Sequence, residues 1–230
     1  MKTIAIIPAR GQSKRIPLKN IKLFLGKPII SYSIEAAMSS GLFDEVMVST
    51  DNDQIVEVAK RYGAKIPFLR TASSATDSAT TVMALIEVLN SYKERGKMFD
   101  YGCCLYPTAP FVSSDKLINA FDFMLQEKYL SVFPVMSYSY PIWRSLKMEN
   151  GKLTMNYPEY MNTRSQDIPL AYHDAGQFYF FKVDALLEEQ TLFTSNSGAI
   201  VVDELEGQDI DNLKDWEMAE IKYKLLFHRY

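Results

Sequence analysis

The chain has 230 residues, 47% of them hydrophobic, which is enough for one substantial core and cramped for two equal domains. A formal net charge of -3 gives no global basic field to draw in a nucleic acid. No apolar window approaches the length of a membrane span, and "TIAIIPA" is too short for the core of a cleavable leader, so a cytoplasmic protein without a membrane partner is expected.

In chain order, "TIAIIPA" is a short apolar run ending at Pro8, the pattern of a strand buried on both faces. "PIISYSIEAAMSSG" opens with Pro28 and stops at Gly41, so it is expected to form a helix. "EVMVST" follows as a strand. Next come a helix over 52–62, a short strand near 66–68 and a helix over 77–95. Strand "YGCCLYPT", a helix over 114–127 and strand "LSVFPVMS" continue the alternation. Its adjacent Cys103 and Cys104 would point to opposite faces of a strand, so no bridge between them is expected, and reduced thiols fit the cytoplasm.

From about 138 to 172 the rhythm breaks into β-like pieces, prolines and the turn signal Asn150-Gly151, which predicts an inserted hairpin arm. Strand "QFYFFK", a small helix near 184–190, strand "AIVV" and the helix "NLKDWEMAEIKYKLLF" complete the chain. Repeated strand–helix units predict one α/β domain over 1–230, a Rossmann-like doubly wound and mostly parallel sheet.

The cations are not spread evenly. Lys2, Arg10, Lys14, Arg15, Lys19, Lys22 and Lys27 all precede the first acid, Glu35. Most lie in or beside "IIPARGQSKRIPLKN", the loop after the first strand, at the sheet edge where open α/β folds bind ligands. The loop is neither a Walker sequence nor a dinucleotide fingerprint, because Gly11 stands alone. Arg10, with its planar fork, and Lys14, a mobile point charge, are suited to adjacent phosphates, with Ser13 donating a hydroxyl hydrogen bond. A triphosphate fits that set. Arg15, Lys19, Lys22 and Lys27 read as solvated surface charges.

"IPARGQSKRIPLKN" resembles the signature loop of the cytidylyltransferases that make CMP-sialic acids and related CMP-nonulosonic acids. The resemblance continues through "STDN", "PFLRTASSATDSATT", "LYPTAPF", "RSQDIPLAYHDAGQFYFF" and "DIDNLKDW", in order along nearly the whole chain. It implies a sheet of the nucleotide-diphospho-sugar transferase type and a reaction in which the anomeric hydroxyl of a nine-carbon 2-keto sugar acid attacks the α-phosphorus of CTP and pyrophosphate leaves. Arg10, Ser13 and Lys14 would then hold the triphosphate, with Asn20, Arg70, Asp77 and Thr80 contributing nucleotide contacts. Arg10, Lys14 and Asp211 would carry the catalysis. Gln12 and Arg15 stand where sialic-acid members often have glycine.

"GQDIDNLKDW" places Asp209 and Asp211 two apart, which in an extended segment points both carboxylates to one side, an arrangement suited to Mg²⁺. A second reading stands beside it: Asp211 or Asn212 caps the last helix, with Asp215 supporting its first turn. In the family that this chain resembles, the matching "DID" is the metal site.

"YHDAGQFYF" is similar to the form found in the pseudaminic acid branch, where sialic-acid members have asparagine-glycine-alanine at the positions of Ala175, Gly176 and Gln177. That branch implies service to flagellin or surface-glycan modification. The same reaction on neuraminic or legionaminic acid is the alternative. Transfer to a sugar 1-phosphate and a non-catalytic nucleotide-binding module are more distant ones.

Candidate substrate contacts are Arg164 to the sugar carboxylate, Gln177 to an acetamido group, His173 and Tyr179, with Arg144 assisting from the arm. Tyr106, standing where relatives often have glutamine, is a further candidate substrate contact whose exact role stays open. His173 reads equally as a polar residue at a strand edge, Tyr179 lies on a strand where alternate aromatics are more often core than pocket, and His228 reads as structural. Family members typically form homodimers through the arm, and Tyr138, Tyr140 and Trp143 are aromatic anchors of the kind interfaces favour.

Overall fold

The computed structural model describes residues 1–13, 15–71, 74–76 and 79–227. The opening apolar run forms β1 (Thr3–Pro8), whose Ile4 to Ile7 are wholly buried because packing covers both faces. Two short strands, β2 (Leu23–Phe24) and β3 (Lys27–Pro28), pair antiparallel after the first loop. Behind Pro28 starts α1 (Ile29–Ser40), which ends at Gly41 in the left-handed region.

The alternation then runs through β4 (Glu45–Ser49), α2 (Asp53–Arg61), α3 (Thr81–Glu94), β5 (Tyr101–Leu105), α4 (Ser114–Glu127) and β6 (Ser131–Ser137). Side-chain oxygens of Asn52, Thr80 and Ser113 accept backbone N–H groups at the starts of α2, α3 and α4. The helix expected from residue 77 begins at Thr81. The strand expected near 66–68 reduces to one bridge between Met47 and Lys65, because Pro67 has no N–H to offer a ladder.

Residues 138–171 hold single 3-10 turns and a hairpin of β7 (Leu146–Glu149) and β8 (Lys152–Met155). Asn150 and Gly151 take φ values of 52° and 76°, the left-handed pair that a two-residue hairpin turn requires. Next come β9 (Tyr172–Asp174), β10 (Phe178–Lys182), α5 (Val183–Glu189), β11 (Ser197–Val201) and α6 (Leu213–Phe227).

The main sheet has the order β11-β6-β10-β5-β1-β4, and β9 also pairs with β6. β4, β1 and β5 run parallel, as do β6 and β11, while β10 lies antiparallel between β5 and β6. Helices α1, α2 and α4 cover one face against Ala5, Ile7 and Cys103, and α3 and α5 cover the other against Ile4, Ile6 and Cys104. The two cysteines therefore lie free and buried on opposite faces. Phe178 and Phe180 of β10 point to the first face and Tyr179 and Phe181 to the second, so truncating Phe180 to Ala should cost about 3–5 kcal/mol.

A third cluster gathers Phe24, Tyr32 and Trp216, with the Phe24 and Trp216 rings edge-on at 5.7 Å. It docks α6 beside the first loop and so brings the late acidic segment to the same end of the sheet as the early cations. Among the described residues, no helix is long and apolar enough to cross a membrane.

Candidate active site

The loop after β1 is held by backbone pairing. Ala9 N–H donates to the Ser49 carbonyl at 2.9 Å, and Gly11 N–H donates to Asp51 Oδ1 at 2.8 Å. A Cβ at Gly11 would lie 2.7 Å from Cβ of Asn52, so a larger residue would push the loop off its seat. Buried Asn20 donates its side-chain N–H to the Arg10 carbonyl at 3.0 Å. The contribution of Asn20 is thus to fix the backbone from which Arg10 projects.

Above this loop lies a cavity of about 460 Å³ bordered by Arg10, Gln12, Ser13, Arg15, Lys19, Asn20, Thr108 and Asp211. A second cavity, about 250 Å³, shares Pro8 and Arg10 with the first and is walled by Arg70, Ser74, Thr76, Ala79, Thr80, Thr81 and Tyr106. Arg10 is the hinge between them, with Nη1 reaching the Thr76 carbonyl at 3.4 Å. Arg70 is fastened to Ser49 by two bonds of 3.1 Å, one to Oγ and one to the carbonyl. Burial lowers its pKa while Asp51 and Glu87 support its charge. Thr80 combines its place on the cavity wall with capping of α3, accepting from Met83 N–H at 3.2 Å.

The far wall is the segment before α6. Asn212 Oδ1 accepts N–H groups of Lys214 and Asp215, and Asp215 Oδ2 accepts those of Asp211 and Asn212, which is a reciprocal cap. With the helix start satisfied by Asn212 and Asp215, the Asp211 carboxylate is left to face the first cavity. There it meets Arg15 at 2.7 Å.

Lys19 Nζ donates to the Ile210 carbonyl, between the two aspartates, at 2.6 Å. Burial lowers the pKa of Lys19 against the attraction of Asp211 and Asp209. Asp209 is displaced upward, first by burial and then by Asp211. It borders a third cavity of about 340 Å³ with Ser137, His173, Asp174, Gln208 and Lys222. The expectation of two carboxylates on one side is modified: Asp211 and Asp209 border two neighbouring cavities.

Among the described residues, no cluster of three or more His, Cys, Asp or Glu side chains forms a preformed metal cage. Magnesium does not need one, since one or two carboxylates plus substrate phosphates suffice. Asp209 and Asp211, two positions apart on neighbouring cavities, supply the hard carboxylate oxygens that this ion takes, so the residues present fit it.

The remaining candidates are distributed unevenly. His173 borders the third cavity, its Nδ1 3.0 Å from the Asp174 carbonyl and its ring centroid 4.9 Å from that of Tyr138. Gln177 and Tyr179 are each 2% exposed and border none of the three cavities. Gln177 Nε2 donates to the Glu206 carbonyl at 2.6 Å, while its Oε1 has no partner among the described residues. Arg164 stands exposed on the arm and borders none of these cavities either. Arg144 is engaged within the arm by Thr163 and Ser165. Lys14, Asp77 and His228 lie outside the described residues.

Arg15 is exposed as expected while pairing with Asp211 at the first cavity, whereas Lys19, also expected as a solvated charge, is half-buried there beside the aspartates. Sequence offered no signal for this, because the carbonyl that Lys19 meets is 191 positions away.

A family model described as cytidylyltransferase matches residues 4–218. The chain is 43% identical over 226 residues to a pseudaminic acid cytidylyltransferase of Campylobacter jejuni, covering 98% of this chain and 97% of that one. It is 30% identical to a CMP-N,N'-diacetyllegionaminic acid synthase of Legionella pneumophila, covering 96% and 95%. In fold it is similar to a CMP:2-keto-3-deoxy-manno-octonic acid synthetase complexed with CTP, with a TM-score of 0.73 at 16% identity over 99% of this chain and 100% of that one. A lone-glycine loop crowded with cations, set opposite a late aspartate pair on a mostly parallel sheet, agrees with the sequence match: this chain belongs to the cytidylyltransferase family.

Proposed function

We propose that this protein transfers the cytidylyl group of CTP to the anomeric hydroxyl of pseudaminic acid, giving CMP-pseudaminic acid and pyrophosphate. The observation that carries the reading is the first cavity, bordered by Arg10, Lys19 and the ion pair of Arg15 with Asp211, a space suited to linked phosphates. Cations and a carboxylate around one cavity suit a metal-bound triphosphate. The second cavity, walled mainly by hydroxyls and small side chains, takes the nucleoside, which leaves the α-phosphate beside the shared Arg10. Arg10 would steady the charge that develops there as the sugar oxygen bonds to phosphorus and the bond to the departing pyrophosphate breaks. The sugar acid approaches from the His173 and Asp209 side, where polar groups border the third cavity.

Asp209 and Asp211 would hold Mg²⁺, which when bound neutralises phosphate charge and lowers the pKa of the attacking hydroxyl. Identity favours the pseudaminic branch at 43% over the legionaminic relative at 30%. The product would serve as donor for glycosylation of flagellin or a surface glycan, made in the cytoplasm.

A homodimer through the 138–172 arm belongs to the same reading. Along β7 and β8 the side chains of Leu146, Met148, Leu153 and Met155 share one face, since Leu146 pairs with Met155 and Met148 with Leu153. Both strands are almost wholly exposed, and a two-stranded hairpin alone is marginal in water. A second copy laid against that face supplies the missing cover.

Pyrophosphate release with CTP and Mg²⁺ tests the activity, run separately with pseudaminic, neuraminic, legionaminic and 3-deoxyoctulosonic acids. Release with the first alone, or far faster with it, is expected. Preference for another acid overturns the substrate, and no release with any overturns the enzyme.

A further inference from the structure

The third cavity has an unbalanced wall. Asp174, Glu204 and Asp209 bring carboxyl groups to its border, and among the described residues there Lys222 alone is a lysine or arginine. A 2-keto sugar acid arrives with a carboxylate of its own, on the carbon that carries the attacking hydroxyl. Setting that charge beside the others calls for a cation at the same place.

Lys222 is placed for this duty by α6. It lies three positions after Ala219, which is wholly buried, so it sits on the inward side of the helix and is half-buried, whereas Lys214 and Lys224 stand exposed. Its Nζ donates to the Glu204 carbonyl at 3.0 Å and to the Gly207 carbonyl at 2.9 Å, one at each end of the 3-10 turn Glu204–Glu206. An ammonium has three protons, so these bonds occupy two and leave the third. Among the described residues Lys222 has no ion-pair partner. Burial lowers its pKa, and Glu204 and Asp203 offset that only in part.

The turn is braced from two other sides. Gln177 Nε2 donates to the Glu206 carbonyl at 2.6 Å, and Lys116 pairs with the Glu206 carboxylate at 3.1 Å. The head of Lys222 therefore rests on a fixed platform, and little of its rotamer freedom is left to lose when a ligand arrives.

We propose that Lys222 is a substrate-binding residue whose third ammonium proton takes the carboxylate of the 2-keto sugar acid, so that the third cavity holds its ligand by the acid group. The inference rests on the functional reading above, in which this cavity takes the sugar acid.

The test compares the acid with its C1 amide, which keeps the shape and removes the charge, in the presence of CTP and Mg²⁺. In the wild type the KM of the acid should lie about 10-fold or more below the inhibition constant of the amide. Lys222→Met keeps the stem and removes the ammonium. It should raise KM for the acid about 10-fold or more, leave KM for CTP within about 2-fold, and take acid and amide about equally. Lys222→Gln, which keeps an N–H donor for a carbonyl, should do the same, and it carries the test should Lys222→Met fail to fold. A folded variant that still prefers the acid as strongly as the wild type overturns the proposal, as does a wild type that does not distinguish the two. A lowered Tm with that preference kept also overturns it, leaving Lys222 as a strap for the turn. Loss of the preference in Arg164→Met, with the Lys222 variants unchanged, moves the anchor to the arm and overturns it too. If the wild type releases no pyrophosphate with any sugar acid, the functional reading itself fails and the anchor falls with it.

Discussion

The carboxylate of Asp211 meets Arg15 and the first cavity, while its neighbour Asn212 caps α6 together with Asp215. Substitution separates the two duties. Asp211→Ala is expected to lower kcat about 100-fold or more with little change in Tm, and Asn212→Ala to destabilise by about 1 kcal/mol with kcat nearly kept. Steady-state rates and melting curves on both variants check this, and a reversed pattern would reassign the pair. Asp209 has a distinct signature: burial and Asp211 hold its folded pKa above the ordinary carboxylate value. Its ionised form therefore opposes folding slightly at neutral pH, since solvent screens this exposed residue, and that penalty is absent once the pH is below the unfolded pKa. Asp209→Asn should raise the Tm of the ligand-free protein at pH 7, lose that gain on acidification, and weaken the response of activity to Mg²⁺. Melts across pH with magnesium titrations decide it. The cationic loop and the aspartate pair were legible in the sequence because each is a local cluster. Lys19 was not, since its partners come from the far end of the chain and only the docking of α6 brings them together.

Among the elements, the strands and helices with strong local signals match their expected spans: the buried run of β1, the Pro28-to-Gly41 limits of α1, and the Asn-Gly turn of the hairpin. What pattern alone did not reveal is direction and register. β10 reads as an ordinary buried strand, and nothing in "QFYFFK" announces that it runs antiparallel between β5 and β6 behind a bulge. β4 carries a buried charge whose partners were equally hidden. Glu45 is 4% exposed and accepts from Tyr92 at 2.9 Å, Lys65 at 3.1 Å and Lys97 at 2.5 Å. Burial pushes its pKa up, yet the bonds from Lys97, Lys65 and Tyr92 outweigh that and hold it below the ordinary value. This stabilisation is present above the unfolded pKa and disappears as pH falls through the folded one. Glu45→Gln should destabilise the protein by about 1–3 kcal/mol at neutral pH, with the gap to wild type closing in acid. Denaturant melts at several pH values test it, and a gap that persists unchanged in acid contradicts the ionic account.

At the scale of the molecule, the fold places an early loop, a mid-chain cavity wall and a late acidic segment at one sheet edge, while the arm projects an apolar face with no core beneath it. Replacing Leu146, Met148 and Leu153 together by Ser should convert a dimer to a monomer in light scattering while leaving the sheet domain folded. A wild type that is already monomeric at working concentration removes the arm from the assembly. The central claim is that cations on the β1 loop grip linked phosphates opposite Asp211. Calorimetric titration of CMP, CDP and CTP into the wild type, with and without Mg²⁺, tests it most directly. Affinity is expected to climb with each added phosphate and to climb further for CTP when magnesium is present. Equal affinity for CMP and CTP, or no heat with either, would contradict the account.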